Sequence, residues 1–267
     1  MTIAIGLHAI DGMVVAADTQ ETLGSYKSTE SKLLIANHES EKTGAIVITG
    51  AGDAGYLDCI NQEICALFVR RKSWDSFSFL RTLKKHVIEF HHNHVVPFAA
   101  FPYDERPSLG IIIGAQIQGR NCLWESEKSA VFGAKKYFAI GLGRAYAQMM
   151  LRRYWKQMDT VRAASLAAYI LYHVKNTVDG CGHETQIVII KDGRAKYVSQ
   201  DNIDLLDYEF DQRAAVENQL VHFGIGCDLP GEDENNALAR IGSMLLKERG
   251  DVIPLPKSES KPQKGKG

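Results

Sequence analysis

The 267-residue sequence predicts an α+β fold, a four-layer αββα sandwich in which two mostly antiparallel sheets meet face to face and a helix pair covers each outer surface. Three observations predict it. Apolar runs of strand length are joined by short turn signals, Asp11-Gly12, Gly119 and Asp192-Gly193, which build hairpins and hence antiparallel sheets. Helical periodicity comes in two consecutive pairs of segments, not between successive strands. The resulting order is four strands, two helices, several strands, two helices and two strands, and this architecture buries every apolar face in that order.

The elements follow from local pattern. In residues 2–8, Ile3, Ile5 and Leu7 alternate with Thr2, Ala4 and Gly6, the period of a strand. Residues 13–18 are nearly all apolar and read as a strand buried on both faces. The polar stretch 22–30, with Gly24, reads as a loop. Residues 32–36 return to an apolar run, and after the polar turn 37–44 a strand at 45–49 ends in Gly50-Ala51-Gly52. Ala54, Leu57, Ile60, Ile64 and Leu67 then fall on one helical face, with Asp53 just ahead of them. Phe79, Leu80, Leu83, Val87 and Phe90 mark a second helix, followed by a Pro-bearing loop at 97–107. A strand pair covers 108–118 and 121–125. Residues 137–140 form a short strand entering Gly141-Leu142-Gly143, and helices follow at 144–157 and 160–175, the second capped by Asp159. Residues 185–190 and 194–198 close with a hairpin. The sandwich is assigned to residues 1–200. Residues 201–248 are assigned to a packed extension, a polar connection leading to a helix at about 236–246. Residues 249–267, which hold three of the seven prolines, are assigned to a disordered tail.

Composition narrows the function classes. The chain is 45% hydrophobic and 24% charged with a net charge of −1, so neither nucleic acid nor a membrane surface is the expected partner. No apolar run approaches the roughly 18 residues of a membrane span. Asp11 and Asp18 interrupt the early apolar stretch, which reads as no signal peptide and a cytoplasmic protein. Five scattered cysteines without CxxC spacing point to reduced thiols rather than a disulfide framework or a zinc site. His86, His91, His92 and His94 cluster near one helix end, where imidazoles suit the helix dipole; no metal is expected there.

The chemistry-bearing residues gather around the second position. Threonine is small enough for an initiator methionine before it to be trimmed, which would leave Thr2 with a hydroxyl nucleophile and a free α-amine on one residue. Such an amine titrates at about 7.7–8 and can take the hydroxyl's proton near neutral pH. If the chain turns within residues 9–12, Thr2 lies within a residue or two of Asp18, and Lys32 opens the next apolar run. A lysine there favours the unprotonated amine and the developing alkoxide, and a carboxylate on that lysine holds it charged and aimed. Gly50, at the end of its strand, offers a bare backbone N–H to an oxyanion.

Residues Thr2-Ile3-Ala4-Ile5-Gly6, then Asp11-Gly12-Met13-Val14-Val15-Ala16-Ala17-Asp18, then Asp18-Thr19-Gln20-Glu21-Thr22-Leu23-Gly24, resemble the start of proteasome-type β subunits and of the bacterial HslV-type peptidases, whose pattern near the acid is D-x-Q-x-T-L-G. The likeness runs through Lys32 and residues 50–53 and, more weakly, to about residue 198, roughly three quarters of the chain. It implies an N-terminal-nucleophile hydrolase, a threonine endopeptidase that assembles with copies of itself into rings and acts on peptides or unfolded proteins without a cofactor, with an ATPase unfoldase as a possible partner. By the same resemblance Thr2 is the nucleophile, Asp18 and Lys32 its supporting pair, and Gly50 the oxyanion donor. Glu21, Thr22, Ile48 and Gly52 would flank the substrate channel, and an acidic Glu21 would favour basic side chains. The departures are as specific. The segment between Tyr26 and Lys32 is about two residues short. Gly141-Leu142-Gly143 stands where the family has Gly-Ser-Gly, and Asn176-Thr177-Val178-Asp179-Gly180 stands where it has Asp-x-x-Ser-Gly. Asn176 and Asp179 would take the supporting positions, with Glu184 as a substitute relay. Two rival readings remain: a non-catalytic ring subunit of the same fold, and an amidase for small amides.

Overall fold

The computed structural model describes residues 2–23, 26–38, 44–71, 73–102 and 106–224. The chain divides into two compact units, residues 1–210 and 211–267. Of the second, only the helical backbone to Gly224 and a few side chains at its start belong to the described part.

The first unit holds two five-stranded antiparallel sheets. One sheet is formed by β1 (Ile3–His8), β2 (Gly12–Asp18), β10 (Tyr137–Gly141), β11 (Thr185–Lys191) and β12 (Arg194–Tyr197), in the order β10-β1-β2-β11-β12. The other is formed by β5 (Leu34–Asn37), β6 (Gly44–Gly52), β7 (Leu109–Ile117), β8 (Arg120–Glu127) and β9 (Ala130–Gly133), in chain order. Strand β2 is central, and every one of its residues is buried. Its Val14 and Ala16 face one cluster, with the helices α3 (Arg144–Tyr154) and α4 (Thr160–Thr177), while Met13, Val15 and Ala17 face the opposite sheet. The period-2 alternation of side chains makes one strand serve two cores. On the far side, Ile46 and Ile48 of β6 pack with Ile60, Ile64 and Phe68 of α1 (Ala54–Arg70) and Phe79 and Leu83 of α2 (Ser76–His94). Helix pair, sheet, sheet, helix pair is the predicted four-layer order.

Four details differ from the sequence reading. The supposed loop at 22–30 contains a two-stranded ribbon, β3 (Gln20–Leu23) with β4 (Tyr26–Thr29), which joins neither sheet. Strand β5 begins at Leu34, so Lys32 and Leu33 precede it outside regular secondary structure. A further strand, β9, closes the edge beside β8. Residues 201–210, read as a polar connection, lie in the first turns of helix α5 (Gln200–Gly224), whose Ile203 and Phe210 enter the α3–α4 cluster. The helix expected at about 236–246 and the tail 249–267 lie outside the described residues.

Candidate active site

Register brings Thr2 to Asp18. Strand β1 pairs with β2 with Ala4 opposite Ala17, which sets Ile3 opposite Asp18 and Thr2 one residue beyond. On its other side β1 pairs with β10, and the Leu142 N–H donates to the Thr2 carbonyl at 2.8 Å. Gly141 makes this approach possible: its φ is +94°, and a Cβ there would lie 2.2 Å from the Thr2 carbonyl oxygen. Thr2 is 4% exposed.

Asp18 is fully buried and accepts four hydrogen bonds. Its Oδ1 takes the Thr2 hydroxyl at 2.6 Å, the Ile3 N–H at 3.0 Å and the Lys32 ammonium at 2.9 Å; its Oδ2 takes the Gly182 N–H at 3.0 Å. A buried carboxylate is tolerated only when its lone pairs are satisfied, and here each oxygen has a donor. Lys32 also donates to Thr2 Oγ1 and to the Gln20 carbonyl. The Thr2 hydroxyl therefore sits between a carboxylate that accepts from it and an ammonium that donates to it. Lys32 is held from behind by Gln186, whose Oε1 accepts the Lys32 N–H at 3.1 Å and the Ser31 hydroxyl at 3.2 Å.

Gly50 enters through the hydrogen-bond alternation of its sheet. Asp53 N–H donates to the Ser108 carbonyl, so odd-numbered residues of β6 bond to β7 and even-numbered ones turn the other way. His38 N–H donating to the Gly44 carbonyl fixes the same parity on the β5 side. The Gly50 N–H thus points to the side of β5, and β5 starts one pair too late to meet it, at Leu34 opposite Ile48. It opens onto a cleft of about 400 Å³ that Thr2 and Lys32 also line. A Cβ on Gly50 would lie 2.3 Å from Leu57 Cδ2, so glycine lets α1 close against this strand end.

The other sequence candidates divide. Glu21, Thr22 and Gly52 line the cleft. Ile48 does not: side-chain alternation on β6 turns it into the core against α1, fully buried. Asn176 and Asp179 are exposed, at the end of α4 and in the turn after it, and make no hydrogen bond with Thr2, Asp18 or Lys32 among the described residues. The Gly182 N–H reaches Asp18 instead. Glu184 is exposed, and it is its backbone that bonds to Thr19, accepting at 3.0 Å from the Thr19 N–H. Leu142 is 53% exposed beside the Thr2 carbonyl. Cys181 is buried next to Asp18; burial first, and then the charge of Asp18, push its thiol up to about 11, which keeps it protonated and a poor nucleophile. Gln20 stands in the motif but was given no role there, and Gly182 and Gln186 were missed. Gln20 and Gly182 act through backbone groups, which leave no residue-type signature for the role, and Gln186 sits beside the apolar run of β11.

Among the described residues, no three His, Cys, Asp or Glu side chains converge to hold a metal, and no helix is long and apolar enough to cross a membrane. His86 Nε2 lies 3.0 Å from Glu63 Oε2, where α2 meets α1.

Comparison with known proteins gives a consistent result. Solved structures with the same fold include an Anbu (Gly-1) mutant from Hyphomicrobium sp. strain MC1, at 19% identity and TM-score 0.65, covering 80% of this chain and 95% of that one. Anbu, an ancestral β-subunit, from Yersinia bercovieri matches at 15% identity and TM-score 0.66, over 87% and 99% of the two chains. The helical assembly of the Anbu complex from Pseudomonas aeruginosa matches at 16% and 0.65, over 88% and 99%. No curated protein sequence matches the chain. The sequence model for the proteasome subunit matches residues 2–190, well over half the chain, in the same segment that builds the sandwich and brings Thr2, Asp18 and Lys32 together. The chain belongs to the proteasome subunit family.

Proposed function

We propose that the protein is a cytoplasmic, self-assembling threonine peptidase whose nucleophile is Thr2 after removal of Met1. The observation that carries this reading is the contact of the buried Thr2 hydroxyl with both Asp18 and Lys32 at the edge of a cleft. The freed α-amine takes the hydroxyl proton, directly or through water, and Oγ1 attacks the carbonyl of a peptide bond. Lys32, donating to that oxygen, steadies the developing alkoxide, and Asp18 keeps the ammonium in place. The Gly50 N–H faces the tetrahedral oxyanion. The amine returns the proton to the departing nitrogen, and water then hydrolyses the ester on Thr2. The sequence needs no metal or organic cofactor. Self-assembly is supported by the relative from Pseudomonas aeruginosa, which was solved as a helical assembly. Unfolded chains are the fitting substrate for an enclosed site, and an ATPase unfoldase the fitting partner to deliver them.

A second reading, a non-catalytic assembly subunit, is favoured by one set of observations. Leu142 replaces the family's hydroxyl, and Asn176 and Asp179 stay in solvent, so no side chain among them holds a proton near the amine. One experiment separates the readings. Intact mass gives the mature N-terminus, and a threonine-directed epoxyketone or β-lactone reports the nucleophile. The peptidase reading expects loss of Met1 and one adduct on Thr2 that disappears in Thr2→Ala. Retained Met1 with no adduct establishes the assembly subunit. An adduct with turnover of short amides but not of peptides makes it an amidase.

A further inference from the structure

The cleft in front of Thr2 is uneven in charge. Glu21, Glu30, Asp53 and Asp58 line it, and the one cation among its described lining residues, Lys32, is committed to Asp18. Its floor comes from α1, which presents Ala54, Leu57, Asp58 and Asn61 to it; the spacing i, i+3, i+4, i+7 puts these on one helical face. Asn61 is 7% exposed, and its Oδ1 finds no hydrogen-bond donor among the described residues. A buried acceptor without a donor is unfavourable and calls for a ligand that brings one. Leu34 and Leu57 supply apolar wall.

These features select one ligand chemistry. Asp53 already accepts the Ser108 N–H at 2.7 Å, and a neutral donor would satisfy Asn61 but leave the charges of Glu21, Glu30 and Asp58 unanswered. A metal ion would need converging ligands, and no three carboxylates or imidazoles among the described residues come together. A long aliphatic stem ending in a donor-only cation meets these demands, the stem along the leucines and the charged head on Asn61 Oδ1, with Asp58 one helical turn away on the same face. We infer that this cleft receives the side chain of a lysine or arginine, the residue whose carbonyl Thr2 attacks. The part of the inference that assigns the cleavage side rests on Thr2 being the nucleophile; the cleft's preference for an organic cation does not.

The test uses three peptides that differ only at that residue: arginine, norleucine or glutamate. On the full-length protein with Met1 removed, kcat/KM for the arginine peptide is expected to exceed that for norleucine at least about tenfold, one factor of ten per 1.4 kcal/mol. The glutamate peptide is expected to fall below norleucine. Asp58→Asn, an exposed surface change, and Asn61→Leu should each bring the arginine-to-norleucine ratio toward one. Equal rates for the three peptides overturn the inference. In parallel, the same peptides are titrated into Thr2→Ala protein and affinities compared at low and high salt. Tighter binding of arginine that weakens with salt supports the cleft's preference even if the wild type forms no adduct, and equal binding overturns it. An adduct on Thr2 without any arginine preference leaves the peptidase standing and removes this inference alone.

Discussion

At the scale of single residues, the decisive group is Asp18. It is fully buried, and three of its four hydrogen-bond donors are neutral. Lys32, at 2.9 Å, is the one full positive charge among them. Removing one member of such a pair strands the other, whereas removing both leaves neither charge uncompensated. Lys32→Met is therefore expected to cost roughly 3 kcal/mol of stability, tempered by the 14% exposure of the lysine side chain, which lets water reach the ammonium end. Asp18→Asn also destabilises, because an amide turns one donor group toward a ring of donors. The double variant should lose clearly less than the sum of the two. Urea unfolding of the four proteins checks this as a double-mutant cycle. Additive losses would mean that the two side chains do not act as a pair.

At the scale of elements, Asp11 joins three of them. It sits in the β1–β2 turn, its Oδ1 accepts the Thr160 N–H at 2.8 Å at the first residue of α4, and Lys191 at the end of β11 donates to its Oδ2 at 2.7 Å. The Lys191 hydrogen bond, with the Thr160 N–H adding to it, holds the Asp11 carboxyl below its ordinary value. Its stabilisation is present above the unfolded carboxylate range and fades as pH falls through the lowered folded value. Asp11→Ala, which orphans a helix-start N–H, is expected to cost about 1 kcal/mol at neutral pH. The gap from wild type should close below about pH 4, the ordinary carboxylate range, as read by thermal melts at several pH values. A gap that persists in acid would mean that the carboxylate is not what joins the elements. Turns of this kind were legible in the sequence, as were strands and helices with an apolar face, because burial imprints a period. Residues 13–18 and 45–49 bury as their spacing implied, as do Phe79, Leu83, Val87 and Phe90, with Leu80 of the same stripe half-buried. The β3–β4 ribbon was not legible, since β4 is largely exposed and carries no apolar alternation. The start of α5 was hidden by charges spaced between Ile203, Leu206 and Phe210. At the site, the meeting of Thr2 with Asp18 and Lys32 could be read from charges placed at the ends of apolar runs. Asn61 could not: a polar residue between Ile60 and Ile64 looks like helix surface until the cleft beside it is seen.

At the scale of the whole molecule, the site is a product of complete folding. Its parts come from the start of β1, the end of β2, the segment before β5, the end of β6, the end of β10 and the turn before β11, positions 2, 18, 32, 50, 141 and 182. Both sheets contribute, so no single hairpin or helix pair can assemble it. Asp18 has its charge partner only when β5 and β2 lie in facing sheets, and Thr2 is pressed into place only when β10 has added to β1. With Thr2 as the nucleophile proposed above, loss of either sheet is expected to abolish its reactivity together with secondary structure, in one cooperative transition. Labelling of Thr2 by the electrophile and far-ultraviolet circular dichroism, followed across the same urea series, are expected to share one midpoint and one slope. Labelling that disappears well before the dichroism would assign the site to a locally unfolding end of the molecule, with β1 fraying from a sandwich that stays intact. That outcome would separate the reactive geometry from the fold that carries it, and the pairing of β1 between β2 and β10 argues against it.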